Sequence, residues 1–411
     1  MALQRDIVII GAGFAGVWSA LAAKRLISLS NKQRDLQVVV IAPEPFLAIR
    51  PRLYEADVAT MNHPLRDLFD SAGIQFIQAT VHNIDTTGNT IQFQSTTGTK
   101  ASIKYKRLIL AAGSQVVRPQ TVAGIQKHAF DIDTISAASK LEYHLDRLPT
   151  FPPSQSRDTI VICGAGFTGL ELATELPKRL GEKSGARIIL VEGADEVGPE
   201  LGPGPRPIIR QALEALGVEV RLGSPVTEID ASGVHLASGE YIETMTAVWT
   251  AGMRATPLTQ QITGAKDTLG RLQVDQYLRV PTYQQVYATG DAAYALVDTE
   301  GHHALMSCQH ALVLGRVSGH NAAADLLDES MIVYSQPAYN TCLDLGAFGA
   351  VVTSGWAREV KVSGEVGKKV KTYINQKLIY PPNDAKEAIN AADPKIASSD
   401  ELLTEMLITV Q

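Results

Sequence analysis

The chain has 411 residues, 45% of them hydrophobic and 19% charged, a length that suits two or three domains rather than one. Its formal net charge is −6 and it contains no basic run, which argues against a nucleic-acid partner. Its three cysteines form no CxxC pair and no zinc spacing, so we predict neither a redox dithiol nor a metal site. With no transmembrane segment (no apolar run of about 18 residues) and no signal peptide, we expect a cytoplasmic protein.

A glycine-rich string, GAGFAG at 11–16, follows the apolar segment at 6–10 and opens a helical pattern. Strand, turn and helix in this order are the context that a dinucleotide-binding fingerprint requires. The first glycine makes the tight turn, the second lets the backbone approach a diphosphate, and the third lets helix and strand pack closely. The helix N-terminus adds partial positive charge. The predicted cofactor-binding residues of this string are Gly11, Gly13, Phe14, Ala15 and Gly16.

After this string, the sequence continues with a second strand at 37–45, a meander of short strands, and a closing apolar strand at 107–115; these features form the first of two repeats. At the end of the second strand, Ala42 stands where an acidic residue is usual. Glu44 either reaches the adenosine ribose in its place or is a surface residue of the loop. Ala112 and Gly113, at the end of the closing strand, complete the cofactor-binding prediction for this repeat.

The same order of features returns at 158–254, with a second string, GAGFTG at 164–169. Such a duplication is typical of two dinucleotide-binding folds. Glu192 ends the second strand of this copy, where a carboxylate binds both ribose hydroxyls of NADH and repels the 2′-phosphate of NADPH. Repulsion of about 2 kcal/mol gives roughly thirtyfold discrimination, so we predict NADH. The predicted cofactor-binding residues of this repeat are Gly164, Gly166, Phe167, Thr168, Gly169, Glu192 and Gly252.

The remaining segments are predicted to connect the two repeats and to form a third region. A Pro/Ser-rich segment at 147–156 is predicted to be a hinge between the halves. A strand ends at Gly290 and Asp291, and a helix is predicted at 307–327. Residues 337–382 are predicted to be strands with glycine turns, the polar tail 383–400 to be loosely attached, and 401–410 to be a short amphipathic helix. The predicted fold is α/β: two Rossmann-like domains with β-meander insertions and a small α+β C-terminal region.

At this point the chain resembles type II NADH dehydrogenases and the related AIF-like NADH oxidoreductases over about residues 5–330. The segments that carry the resemblance are VVVIAPEPFLAIRPRLYEA, TIVICGAGFTGLELATEL, AVWTAGMRATPL and ATGDAA. In that superfamily, Gly290 and Asp291 match a second FAD fingerprint, in which the aspartate accepts hydrogen bonds from the ribityl chain. The alternative is that Asp291 caps the following helix. The resemblance implies an FAD domain at 1–120 and 255–335, an NADH domain at 121–254 and a C-terminal domain at 336–411.

The resemblance also implies that Glu171 lies where nicotinamide and flavin meet, as an orienting or proton-handling carboxylate. Alternatively, it is a helix residue favoured by the helix dipole. The family's AQxAxQ string is here Cys308 to Val313, which retains Gln309. His310 is either a proton donor beside Gln309 or a packing and capping residue. We predict catalytic roles for Glu171, Gln309 and His310.

Two arginines depart from the family's leucines before Tyr54. Arg50 and Arg52 either serve an anionic substrate or reduced flavin, or are solvated loop residues; Arg50 is among the predicted cofactor-binding residues. The implied reaction passes hydride from NADH to flavin N5 and two electrons on to a quinone or quinone-like molecule. The alternatives are a soluble reductase of another small molecule or protein carrier, and an NADH-sensing flavoprotein. Peripheral contact at the inner face of a membrane and a homodimer complete the expectations.

Overall fold

The computed structural model describes residues 3–30, 36–181, 185–395 and 397–410. Its strands follow the apolar segments seen in the sequence. They are β1 (Leu3–Ile10), β2 (Val38–Ala42), β3 (Phe46–Ala48), β4 (Asn62–Pro64), β5 (Gln75–Asp85), β6 (Thr90–Ser95), β7 (Lys100–Leu110), β8 (Ser114–Val116), β9 (Ala129–Phe130), β10 (Thr159–Cys163), β11 (Arg187–Val191), β12 (Glu219–Arg221), β13 (Val226–Ile229), β14 (Gly233–Leu236), β15 (Tyr241–Glu243), β16 (Thr246–Trp249), β17 (Met253–Ala255), β18 (Leu272–Gln273), β19 (Arg279–Val280), β20 (Tyr283–Ala288), β21 (Ala293–Tyr294), β22 (Asn340–Asp344), β23 (Ala350–Ser354) and β24 (Glu359–Ser363).

The helices cover the faces of the sheets and close the C-terminal region. They are α1 (Phe14–Leu29), α2 (Arg66–Ser71), α3 (Ile125–His128), α4 (Ile135–Arg147), α5 (Gln155–Asp158), α6 (Phe167–Leu180), α7 (Arg206–Ala215), α8 (Cys308–Leu327), α9 (Gly364–Tyr373), α10 (Ala385–Ala391) and α11 (Ser399–Val410). A single π-helical turn, Ile374–Leu378, extends α9.

The first sheet has five parallel strands in the order β5-β2-β1-β7-β20. β6 pairs antiparallel with the extensions of β5 and β7, which forms the predicted meander. The strands β1, β2 and β20 carry Val, Ile and Ala that are buried on both faces, as expected when helices cover a parallel sheet. This sheet is built from residues 3–110 and 279–288.

The second sheet is parallel throughout, in the order β12-β11-β10-β16-β9, with the antiparallel meander β13-β14-β15 beside it. Both Rossmann-like units with meander insertions are therefore present, and the predicted fold class is confirmed. The chain crosses between the units at β8 and β17, which pair antiparallel with each other. The exact domain boundaries given above stay a prediction.

The predicted hinge at 147–156 is wrong. This segment lies between α4 and β10, and the strands on either side of it, β9 and β10, belong to the same second sheet. Proline and serine there serve a turn and the N-cap of α5, whose Ser154 hydroxyl accepts from the Arg157 amide. The crossing between the two units lies instead at β8 and β17.

Helix α1, which follows the first glycine turn, packs closely against α8. Helix α8 follows the Gly-Asp motif, which is Gly290 and Asp291. A Cβ on Gly315 or Gly319 would clash with the backbone of Ala15 or Ser19. Only glycine permits this approach. The Ser19 and Ser318 hydroxyls lie 3.0 Å apart across the contact. The glycines of α8 therefore fix the Gly-Asp motif against the first glycine turn.

The C-terminal region differs from the prediction in two places. The strands β22, β23 and β24 form as expected, but residues 364–378 are helical rather than extended. The tail 383–400 is not loosely attached: it contains α10, in which Ala388 is fully buried, and Asp393 forms an ion pair with Arg25 of α1. The helix predicted at 401–410 is confirmed as α11.

Candidate functional site

The first glycine turn has the geometry that the fingerprint demands. Gly11 has φ +105°, and a Cβ on it would clash with the Ala111 carbonyl. A Cβ on Gly16 would clash with the Gly11 carbonyl, which explains the close contact of helix and strand. Gly13 begins α1 as its N-cap, and a Cβ there would meet nothing within 4 Å. The turn thus leaves open space in front of the helix N-terminus, which fits a diphosphate.

The Gly-Asp motif lies against this turn. Gly290 has φ +59°, and a Cβ on it would lie 2.8 Å from the Ala15 Cβ. Asp291 accepts a hydrogen bond from the Ser114 hydroxyl at 2.5 Å. The hydroxyl of Thr289 is buried, and no described group forms a hydrogen bond with it. Open space, a polar rim and an unpartnered hydroxyl in one place fit a polar ligand such as the ribityl-diphosphate part of FAD.

The two arginines of the 50–52 turn are paired within the chain. Arg50 contacts the Ser114 hydroxyl at 3.3 Å, forms an ion pair with Asp133, and lies 3.9 Å from the Asp291 carboxylate. Arg52 binds both oxygens of Glu55 and the Tyr380 hydroxyl. Both side chains are therefore tied into the protein, with 33% of the Arg50 side chain and 16% of the Arg52 side chain exposed, and their role stays a prediction.

Other predicted residues of the first repeat frame the same region. Glu44 is exposed in the turn after β2, and Ala42 is buried at the end of that strand. Ala112 and Gly113 follow β7, and Gly113 has φ +64° with open space around its Cβ position. These positions stay predictions as cofactor contacts.

The second glycine turn repeats the first. Gly164 has φ +116°, and its Cβ would lie 2.9 Å from the Ala251 Cβ. A Cβ on Gly169 would clash with the Gly164 carbonyl. Gly166 is the N-cap of α6, with the same extended backbone as Gly13. This turn too therefore leads into the N-terminus of a helix.

Glu192 borders the second turn. Its carboxylate accepts from the Ala165 amide at 2.7 Å and from the Ala194 amide at 3.0 Å. These bonds hold the carboxylate beside the glycine turn, at the end of β11, and its contact with a ribose stays a prediction. Thr168 is exposed at the start of α6, and Gly252 lies with φ +80° where the chain crosses between the units.

A buried polar cluster joins α6 to the C-terminal region. The Glu171 carboxylate lies 2.7 Å from the Lys371 ammonium and accepts from the Asp344 amide at 3.1 Å. The Tyr54 hydroxyl donates to Asp344 at 2.9 Å. The Lys371 ammonium also lies 5.6 Å from the centre of the Phe167 ring, so the cluster reaches the second glycine turn.

Burial governs the protonation of this cluster. Burial raises the pKa of Glu171 to about 7, Asp344 adds to the rise, and the neighbouring Lys371 opposes it. Burial lowers the pKa of Lys371, but the nearby acidic groups more than offset this and hold it above its ordinary value. The cluster therefore combines a charged lysine with a carboxylate that can exchange a proton near neutral pH. Glu175, one turn further along α6, is also buried and pairs with Lys178 at 3.2 Å.

Lys371, Asp344 and Tyr54 belong to this cluster although no motif in the sequence pointed to them. Their positions in the sequence are remote from the glycine turns, and Lys371 is one of several lysines in a segment predicted to be strand. A helical assignment of 364–378 would have placed Lys371 one turn after Gly367, on the same side of the helix, and that is the available signal.

Two predicted catalytic residues at the start of α8, Gln309 and His310, have different surroundings. Gln309 is half-buried, and its side-chain oxygen lies 3.4 Å from the Asn340 amide. His310 is fully buried and stacks on Tyr339 with ring centres 4.6 Å apart. Burial lowers the pKa of His310 to about 3, and the charges of nearby arginines add to this. A neutral, buried imidazole favours the packing role over the proton-donor role.

One group of metal-type donors exists among the described residues. Oxygen and nitrogen atoms of Asp298, Glu300 and His302 lie within 4.8 Å of one another. The turn explains this by itself, because Asp298 accepts from the amides of Glu300 and His302 and from the His302 ring. We assign no metal to it. Within the described ranges, no helix has the length and hydropathy of a membrane span.

Comparison with known proteins decides the family. Residues 5–315 match the pyridine nucleotide-disulphide oxidoreductase family. The chain belongs to this family. An NADH dehydrogenase-like protein of Mycobacterium tuberculosis is 43% identical over 399 residues, covering 95% of this chain and 98% of that one. A type II NADH:quinone oxidoreductase of Staphylococcus aureus is 24% identical, covering 92% and 96%.

Solved structures of other oxidoreductases share the fold. The sulfide:quinone oxidoreductase of Aquifex aeolicus superposes with a TM-score of 0.76 at 17% identity, covering 99% of this chain and 96% of that one. The NDH2 of Plasmodium falciparum in complex with NADH superposes with a TM-score of 0.72 at 15% identity, covering 94% and 97%. The predicted resemblance to NADH oxidoreductases of this kind is confirmed. A CxxC dithiol is absent from the sequence, although the family's name includes disulphide.

Proposed function

We propose that this oxidoreductase is an FAD-dependent NADH dehydrogenase whose acceptor is a quinone or quinone-like molecule. One observation carries the proposal: the two glycine turns have the same backbone but different surroundings. The first is joined by the Gly-Asp motif and the start of α8, and the second by a carboxylate at the end of β11. A chain that bound the same nucleotide twice would not need this asymmetry.

The residues of the first turn would hold FAD. Gly11, Gly13 and Gly16 form the cradle for the diphosphate, and Asp291 lies where the ribityl hydroxyls would be bound. At the second turn, Glu192 would bind the ribose of NADH and disfavour a 2′-phosphate. With both cofactors bound, the chemistry available at the site would be hydride transfer from the nicotinamide to the flavin and transfer of two electrons onward.

Glu171 and Lys371 would hold or release the proton that accompanies the transfer of the hydride. The carboxylate has a pKa of about 7, so it can hold or release a proton near neutral pH without a large cost. The neighbouring ammonium stabilises the ionised form after release. Both groups are buried, which excludes bulk water from the exchange. Gln309, at the start of α8, is the side chain we expect to face the acceptor.

One observation favours an acceptor other than a quinone. The second glutamine of the AQxAxQ string is replaced by Val313, which is buried in a cluster with Leu314 and Val317. This position belongs to the core of the first unit and offers no polar group to a quinone ring. A reductase of another small molecule or of a protein carrier is therefore the second candidate. The expected cytoplasmic or membrane-peripheral location and the homodimer stay predictions.

The decisive experiment starts with the absorption spectrum of the purified protein and proceeds to anaerobic reduction by NADH. We expect a flavin spectrum that NADH bleaches, followed by reoxidation on addition of a short-chain quinone. Reoxidation by other acceptors but not by quinones would favour the second candidate. A colourless protein that FAD cannot reconstitute would refute the proposal.

The variant Gly13→Val tests the assignment of FAD to the first turn. The Gly13 backbone, φ −75° and ψ −173°, suits any residue, and the space around its Cβ is open. The variant should therefore fold and yet lose its flavin, because the valine methyl groups fill the space in front of the helix. Far-UV circular dichroism and the flavin-to-protein ratio measure both effects. A folded variant with a full complement of flavin would move the FAD site elsewhere.

A further inference from the structure

An acidic side chain lies on the second glycine turn. The Phe167 amide, in the first turn of α6, donates to the Glu200 carboxylate at 3.0 Å. A Cβ on Gly166 would lie 3.0 Å from the same oxygen, whereas a Cβ on Gly13 would meet nothing within 4 Å. The two glycines have the same backbone geometry. The difference between the two turns is therefore due to Glu200.

An amide at the start of a helix that follows a glycine turn is the kind of group that binds a diphosphate. A carboxylate that accepts from that amide uses the same donor as a diphosphate would, and it interacts with the same partial positive charge at the helix N-terminus. We propose that Glu200 competes with the diphosphate of the dinucleotide for the second turn, and so lowers the affinity of the site for anionic ligands. This inference rests on the proposed assignment of NADH to that turn.

The backbone that presents Glu200 is held at several points. The Gly198 amide donates to the Ala165 carbonyl at 2.9 Å, which ties the segment to the glycine turn itself. The Leu201 side chain is buried, and Gly204 packs so closely on the Arg358 carbonyl that a Cβ would clash. Rotation of the Glu200 side chain, rather than movement of the segment, is therefore what clears the turn for a ligand.

Glu200 is exposed, so its carboxylate can leave the amide for water at small cost. The competition is therefore a modest one. The Glu200 carboxylate on the Phe167 amide and the Glu192 carboxylate on the Ala165 amide thus lie at two nearby donors of the same turn. The predicted result is a site that selects against highly charged nucleotides and that releases its dinucleotide readily.

Calorimetric titration of the purified 411-residue chain with ADP-ribose and with adenosine tests this inference. Glu200→Ala should bind ADP-ribose about fivefold more tightly than the wild type, equivalent to about 1 kcal/mol. Glu200→Gln should gain less, because its amide oxygen can still accept from Phe167. Adenosine has no diphosphate, and its affinity should not change. Glu214→Gln removes one charge from an exposed position on α7 and should match the wild type for both ligands.

Thermal unfolding with and without ADP-ribose adds a second readout, the rise in Tm on binding. A purely structural role of Glu200 would not change this rise. Loss of the carboxylate from the helix N-terminus should lower the Tm of free Glu200→Ala slightly. The rise in Tm on saturation with ADP-ribose should nevertheless be larger than in the wild type, because tighter binding stabilises more. Equal ADP-ribose affinity in wild type and Glu200→Ala, or an equal gain for adenosine, would refute the inference alone. Failure of both proteins to bind ADP-ribose would refute it together with the assignment of NADH to this turn.

Discussion

The Glu171 carboxylate and the Lys371 ammonium lie 2.7 Å apart, and both side chains are buried where α6 meets α9. The pair joins the second Rossmann-like unit to the C-terminal region, and the Asp344 amide adds a hydrogen bond to the same carboxylate. A buried ion pair is weak evidence for stability, because desolvation offsets the attraction. Its position close to the second glycine turn is what the proposed role in proton handling requires.

The stability of the protein should depend on pH through Glu171. Its pKa is raised from 4.5 to about 7, chiefly by burial. Below about pH 4.5 the carboxyl is protonated in both states, and as the pH rises the unfolded state ionises first. The stabilising contribution is therefore full at low pH and is lost as the pH rises through about 7.

Urea unfolding between about pH 5 and pH 8 measures this effect. The free energy of unfolding of the wild type, taken relative to Glu171→Gln, should fall over that range and level off above about pH 7.5. Glu243→Gln, at an exposed position, should retain the wild-type profile. Parallel profiles for the wild type and Glu171→Gln would contradict the raised pKa.

The glycine turns could be predicted from the sequence because their requirements are local. A positive φ at Gly11 and the contact of Gly16 with the Gly11 carbonyl admit no other residue. The second turn repeats the pattern. The buried cluster could not be predicted, because Glu171, Asp344 and Lys371 meet only through the packing of three distant segments.

The errors in the C-terminal region have a physical cause as well. Glycines in 337–382 indicated turns, but Gly367 lies inside α9, where the lack of a Cβ lets the helix approach the Ala350 carbonyl. The tail attaches through small side chains: Ala388 and Ala392 are fully buried, and Arg25 pairs with Asp393. Such a contact leaves no run of large apolar residues in the sequence.

Glu192 should decide between NADH and NADPH. Its carboxylate is fixed by the Ala165 and Ala194 amides, so it cannot easily turn away from a 2′-phosphate. Repulsion of about 2 kcal/mol predicts roughly thirtyfold preference for NADH in kcat/KM. Glu192→Gln keeps an acceptor for one amide and should lose most of this preference.

Steady-state kinetics with both nucleotides provide the measurement. Asp195→Asn, which removes a neighbouring exposed carboxylate, should retain the wild-type preference. A wild-type protein that prefers NADPH, or a Glu192→Gln variant with unchanged discrimination, would show that another group reads the ribose.

The contact between Gly290 and Ala15 should be necessary for flavin retention. An alanine at 290 would place its Cβ 2.8 Å from the Ala15 Cβ at a φ of +59°, so the Gly-Asp motif would have to move away from the first turn. Gly217→Ala introduces a comparable φ of +69° with nothing within 4 Å. Both variants should lose about 1 kcal/mol from the strained backbone, but only Gly290→Ala carries the clash. We therefore expect Gly217→Ala to retain its flavin and Gly290→Ala to lose most of it on gel filtration. Equal flavin content in the two variants would show that the motif tolerates displacement, and Asp291 would then have no fixed place beside the diphosphate cradle.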